Sequence, residues 1–126
     1  MVISFPGGMQ VQAQYKQFSI VTDQPVVNGG SNAAPSPYDL FLASIGTCAG
    51  YYALRYCQSR GFVPKDFEFK ITPKWNDKNQ LVYIGINVQT FSSIPPEHCA
   101  GLAKAIESCA VKKVLCNAPS IEVSVT

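Results

Sequence analysis

Ser36-Pro37-Tyr38-Asp39-Leu40-Phe41-Leu42-Ala43-Ser44-Ile45-Gly46-Thr47-Cys48 is the stretch that decides the fold. Ser36 suits an N-cap, Pro37 the first helical position and Asp39 the acidic position of a capping box. The negative side chain in the first turn also complements the helix dipole. The spacing predicts a helix from Ser36 to about Arg60, with Gly61 as its C-terminal stop. Ala43, Gly46, Gly50, Ala53 and Cys57 recur at three- and four-residue intervals, a small-residue stripe that lets another backbone approach. Leu40, Phe41, Leu42, Ile45, Tyr52, Leu54 and Tyr56 spread over much of the remaining circumference. A helix apolar nearly all round is expected to be buried nearly all round. A chain of 126 residues has little left to cover it, so a second subunit is expected to help.

Outward from this helix, the N-terminal side reads as strands. Met9, Val11, Ala13 and Tyr15 alternate with polar residues, Phe18 to Val21 forms a further short strand, and residues 2–5 turn back at Gly7-Gly8. Val27 to Pro37 is a loop; its Asn28-Gly29-Gly30 lacks the lysine and further glycines of a phosphate loop. On the C-terminal side, Phe67, Phe69 and Ile71 pair as a hairpin with Val82, Ile84, Ile86 and Val88 around Asn76-Asp77-Lys78-Asn79. Pro95-Pro96 opens a second helix with Cys99, Leu102, Ala103 and Ile106 on one face. A further helical turn covers Cys109 to Leu115, and Ile121, Val123 and Val125 alternate as a final strand. The result is an α+β fold in one domain over residues 1–126: antiparallel strands, long central helix, hairpin, second helix, C-terminal strand.

Composition narrows the function. A net charge of +2 with dispersed lysines (Lys65, Lys70, Lys74, Lys78) implies no nucleic-acid partner. The N-terminus has neither the basic segment nor the apolar run of a signal peptide, and the uncharged stretch between Asp39 and Arg55 is too short to span a membrane. A cytoplasmic location is therefore expected. Five cysteines, an odd number, argue against a disulfide framework. With no Cys-x-x-Cys and a single histidine, His98, no metal site is expected.

Cys48 lies about three turns into the long helix. A cysteine on such a face is most often a small packing residue, and that reading covers Cys57, Cys99 and Cys116. Tyr51 and Tyr52 read as packing residues, Arg55 as a surface or interface ion-pair residue. Cys48 is too deep for the dipole of its own helix to lower its pKa; Cys109, at the start of a further helical turn, is better placed.

The words around the two cysteines add a resemblance. Gly29-Gly30, then Ala34-Pro35-Ser36-Pro37 through Cys48, resembles the signature of the OsmC/Ohr family, and Glu107-Ser108-Cys109-Ala110-Val111 resembles the segment bearing that family's second cysteine. The resemblance implies an intertwined homodimer with sites at the subunit interface, and thiol-dependent reduction of organic hydroperoxides in the oxidative stress response. It makes Cys48 the peroxidatic thiolate and Cys109 the resolving cysteine. Cys48 would form a sulfenic acid and then a disulfide with Cys109, which a dithiol reductant such as lipoamide would reopen. No metal, haem, flavin or other cofactor is required.

The chain departs from the family's peroxidases beside the motif proline. Tyr38 stands where they carry a glutamate, and the acid, Asp39, comes one residue later. Asp39 is thus the candidate acidic partner and Tyr38 a site-lining candidate. The activating arginine of the N-terminal region is missing: Lys16 is the only basic residue before the helix, and Arg55 and Arg60 lie on it. This is the pattern of the family's OsmC-like branch. It opens the alternative of a non-catalytic binding or redox-regulatory protein with an apolar cleft at the dimer interface for a fatty or aromatic ligand.

Overall fold

Alternating apolar and polar residues build both sheets, and each sheet belongs to its own part of the chain. The computed structural model describes residues 1–126, in which the backbone forms two units, Met1–Ala43 and Ser44–Thr126. In the first, β1 (Val2–Gly7), β2 (Gln10–Tyr15) and β3 (Phe18–Thr22) form an antiparallel sheet in the order β1-β2-β3. Ile3 pairs with Ala13, and Ala13 with Ile20. The β1–β2 turn passes through Gly8 at φ 57°, a left-handed conformation that glycine adopts without a Cβ penalty. Met9, expected within a strand, lies in that turn. Val2, Ile3, Phe5, Phe18 and Ile20 are exposed on this sheet.

The loop after β3 is ordered by one buried carboxylate. Asp23 is 1% exposed. It accepts from Gln24 N–H at 2.8 Å, Ser31 N–H at 3.2 Å, Ser31 Oγ–H at 2.7 Å and Ala33 N–H at 3.0 Å. The Ser31 hydroxyl, then the Ala33 and Gln24 amides, pull its pKa down to about 2. Gly30 completes the loop: a Cβ there would fall 1.8 Å from the Gln24 carbonyl oxygen. The capping box follows as the sequence predicts. Ser36 Oγ accepts from Asp39 N–H at 3.1 Å, and the Asp39 carboxylate accepts from Ser36 N–H at 2.8 Å and Ser36 Oγ–H at 2.7 Å.

α1 spans Pro37–Gln58 and stops short of Arg60. Phe62 N–H donates to the Cys57 carbonyl at 3.0 Å, and Gly61 takes φ 73° to permit the reversal. In the second unit, Ile45, Ala49, Ala53, Tyr56 and Cys57 form the buried stripe of the helix, whereas Tyr51 and Leu54 are exposed. One chain therefore buries one face of the helix and not its whole circumference. β4 (Glu68–Trp75) and β5 (Leu81–Gln89) form an antiparallel hairpin, with Ile71 opposite Ile86 and Phe69 opposite Val88. It packs closely on α1, since a Cβ added at Gly46 would meet Ile71 Cγ1 at 3.2 Å. At the turn, Asn76 Oδ1 accepts from Lys78 N–H at 3.0 Å and Gln80 N–H at 2.9 Å.

A 3-10 turn over Pro96–His98 leads into α2 (Cys99–Glu107), and α3 (Ala110–Cys116) follows. Leu102 and Ile106 of α2 join Ala49, Ala53, Tyr56, Cys57 and Ile94 in the core. Tyr56 fixes the contact: its hydroxyl lies 3.1 Å from His98 Nδ1 and donates to the His98 carbonyl at 3.3 Å. The expected C-terminal strand is not formed. Ile121, Val123 and Val125 are 86%, 87% and 94% exposed, because no strand edge in the chain pairs with them.

Candidate dithiol site

Cys48 and Cys109 come together in the second unit. α1 presents Cys48, partly buried, and the α2–α3 junction presents Cys109, fully buried; both thiols are free. Cys109 is the N-cap of α3, and its Sγ accepts from Lys112 N–H at 3.5 Å. Its thiol donates in turn to Cys48, and the N–H groups of Val111 and Ala110 are also directed at the Cys48 sulfur.

The electrostatics separate the two sulfurs. Burial is the largest influence on Cys48 and pushes its pKa up, but the Val111 N–H, the Cys109 thiol and the Ala110 N–H together outweigh it. The net pKa lies below the ordinary value of 9.0. For Cys109, burial, donation to Cys48 and repulsion by a Cys48 thiolate all raise the pKa, against a smaller opposing effect of the Lys112 and Val111 amides. Cys48 is thus the better thiolate and Cys109 the proton-bearing neighbour. The expectation from helix dipoles pointed the other way. A helix does start beside Cys109, but its first amides serve the sulfur of Cys48.

Apart from the Cys109 thiol, the stabilising groups are main-chain donors. Arg55 donates to the Tyr51 hydroxyl at 3.2 Å. Arg60 stacks on the Tyr56 ring at 3.8 Å. Lys112 pairs with Glu107. Asp39 caps α1, and its pKa is lowered by the Ser36 hydroxyl and amide. Tyr38, 41% exposed in the first turn, contacts Phe41 with ring centroids 5.6 Å apart. Cys57 is buried as expected, whereas Cys99 and Cys116 are exposed and Tyr51 is half exposed, so these three are not core residues.

The second unit also holds a cavity of about 370 Å³, lined by Ile45 of α1, Ile84, Ile86 and Val88 of β5, Leu102 and Ile106 of α2, and Leu115 of α3; residues flanking both cysteines line it, the cysteines themselves do not. Ile45 precedes Cys48 by about one helical turn, and Ile106 stands three residues before Cys109, near the end of α2. Sequence reading missed this cavity and the Ala110 and Val111 amides; only the cysteine directly before a helix start hinted at the latter. No three His, Cys, Asp or Glu side chains converge to hold a metal ion, and no helix is long and apolar enough to cross a membrane.

A reduced cysteine pair, one member on a long helix and the other capping a short one, in the same unit as a mainly aliphatic cavity, defines a dithiol protein of α+β class. The profile for OsmC-like proteins matches residues 29–124, and the chain belongs to that family. The fold is similar to that of a Psychrobacter arcticus 273-4 protein named for osmotic stress and a detoxification response, with TM-score 0.74 and 20% identity over 89% of this chain and 84% of that one. An OsmC-like protein from Mycoplasma pneumoniae gives TM-score 0.69 and 14% identity over 86% and 80% of the two chains. An organic hydroperoxide resistance protein OsmC from Legionella pneumophila gives 0.57 and 16% over 90% and 87%. No curated protein sequence matches the chain.

Proposed function

We propose that the protein reduces organic hydroperoxides through Cys48 and Cys109. The observation that carries this reading is the asymmetry of the pair: a thiol lowered by amide donors in contact with one raised by burial. The Cys48 thiolate attacks the terminal peroxide oxygen, the O–O bond breaks, and the alkoxide leaves as alcohol after taking a proton. Cys48 is then a sulfenic acid. Cys109 attacks its sulfur, forming a disulfide and releasing water. A dithiol such as lipoamide reduces that disulfide by exchange and is itself oxidised.

The Ala110 and Val111 amides do the work that an arginine does in the family's peroxidases. The homodimer belongs to this proposal too, and the exposed apolar residues of β1, β3 and the C-terminal segment support it. Five free cysteines suit a reducing, cytoplasmic setting. Cumene hydroperoxide consumption coupled to reduced lipoamide tests the activity. Wild type should turn over and Cys48→Ser should not; equal rates would end the peroxidase reading. Light scattering in solution should give twice the chain mass.

A second reading, a non-catalytic binding protein, is favoured by the aliphatic cavity. A Cys48 titration midpoint at the ordinary thiol value, together with ligand binding and no turnover, would select it.

A further inference from the structure

The cavity is lined mainly by aliphatic side chains, with Thr90 and Cys99 as further lining residues. No aromatic ring lines it, and its walls carry isoleucine, leucine and valine side chains. Glu107 and Lys112 also line it, paired with one another. The Glu107 side chain is 67% exposed and that of Lys112 is 36% exposed, which puts the pair at the mouth. Such a pair contributes little to stability, since water solvates both partners and ordering them costs side-chain entropy. The Glu107 carboxylate can swing away at small cost, leaving an ammonium group at the edge of an apolar chamber. Lys112 also reaches the dithiol through its main chain, because its N–H caps Cys109 Sγ.

We propose that the cavity binds ligands with an aliphatic body and an anionic head, and that Lys112 selects them by exchanging Glu107 for the head group. The aliphatic walls take the chain, and the absence of aromatic rings disfavours planar ligands that bind by stacking. Glu107 holds the lysine in place when the cavity is empty and competes for it when a ligand arrives. Lys112 thereby acts as a specificity residue. The inference deepens the peroxide reduction proposed above, and rests on it only for the ligand's reactive group.

The test uses octanoate and 1-octanol as probes, with binding to the full-length reduced protein measured by calorimetry. Octanoate should bind roughly tenfold or more tighter than 1-octanol, as a charge-assisted contact requires. The preference should shrink with added salt. Lys112→Gln keeps the main-chain N–H and should abolish the preference. Glu107→Gln removes the competing carboxylate and should tighten octanoate binding without changing that of 1-octanol. A merely structural role for the pair would not move the two variants in opposite directions. Equal affinities in wild type, a preference that survives Lys112→Gln, or no binding of either probe would overturn the proposal. The same titration on Cys48→Ser separates the two readings. Selective binding without peroxide turnover in wild type leaves the specificity intact and removes only the peroxidase.

Discussion

The loop-and-cap region from Asp23 to Asp39 and the α2–α3 junction from Glu107 to Lys112 are both built on side chains that receive main-chain N–H groups, yet they work at different ranges. Asp23 gathers donors from Gln24, Ser31 and Ala33, all within ten residues. Ser36 and Asp39 close on each other within one turn. At the junction, the donors on Ala110 and Val111 act on Cys48, more than sixty positions away in the chain. A carboxylate that gathers nearby amides organises its own loop. A thiolate that gathers distant amides has its chemistry set by the packing of α1 against the α2–α3 junction. The first arrangement builds structure, and the second tunes reactivity.

This contrast can be broken at several points. The largest loss of stability is expected where the long-range packing is tightest. A Cβ at Gly101 would come 2.3 Å from the Tyr56 hydroxyl, so Gly101→Ala forces Tyr56 off His98 and should cost about 1–3 kcal/mol in chemical denaturation. A smaller effect is expected at the local cap. Ser36→Ala removes the reciprocal bonds with Asp39 and should cost about 1 kcal/mol, roughly 4 °C in melting temperature.

Ala110→Pro separates reactivity from stability. Ala110 is the first residue of α3, where proline is tolerated, and Cys109 before it has ψ 121°, compatible with a following proline. The variant should lose little stability, on the order of 0.5 kcal/mol. It removes one donor to Cys48, so the thiolate absorbance midpoint should move up and alkylation at neutral pH should slow. An unchanged midpoint would show that this amide does not support the thiolate.

The smallest effect is the pH response of the loop. Asp23 has its pKa lowered from 3.8 to about 2, so its stabilisation is complete above pH 4 and fades as pH falls through 2. The protection of the amides over residues 24–35, taken against their intrinsic exchange rates at each pH, should fall on acidification in wild type. In Asp23→Asn that protection should be low at neutral pH as well, and should lose its acid dependence. For Cys48 the lowered pKa acts at higher pH: its alkylation rate should reach half its maximum below pH 9.0, where an ordinary thiol reaches it.

Much of this architecture is legible in the residues, for reasons that differ by element. The Ser36-Pro37-Tyr38-Asp39 entry, the Gly61 stop and the Asn76 turn are each specified by side chains acting on neighbouring backbone. The hairpin and the first sheet follow from alternation. The same alternation at Ile121, Val123 and Val125 produced no strand, because a strand needs a partner edge that the pattern does not supply. The helix apolar all round was buried on one face only, since composition reports what a surface can bury and not what is there to cover it.

By itself, the sequence determined the α+β class, the course of the long helix and the two cysteines at the centre of the candidate site. Local hydrogen bonding and periodicity act over a few residues, and they are written in consecutive letters. Only the tertiary structure decided which groups lower the Cys48 pKa and that a mainly aliphatic cavity, with Glu107 and Lys112 in its lining, lies in the same unit. Those properties depend on donors, burial and charge brought together from separate elements, and main-chain amides leave no mark in the side-chain sequence.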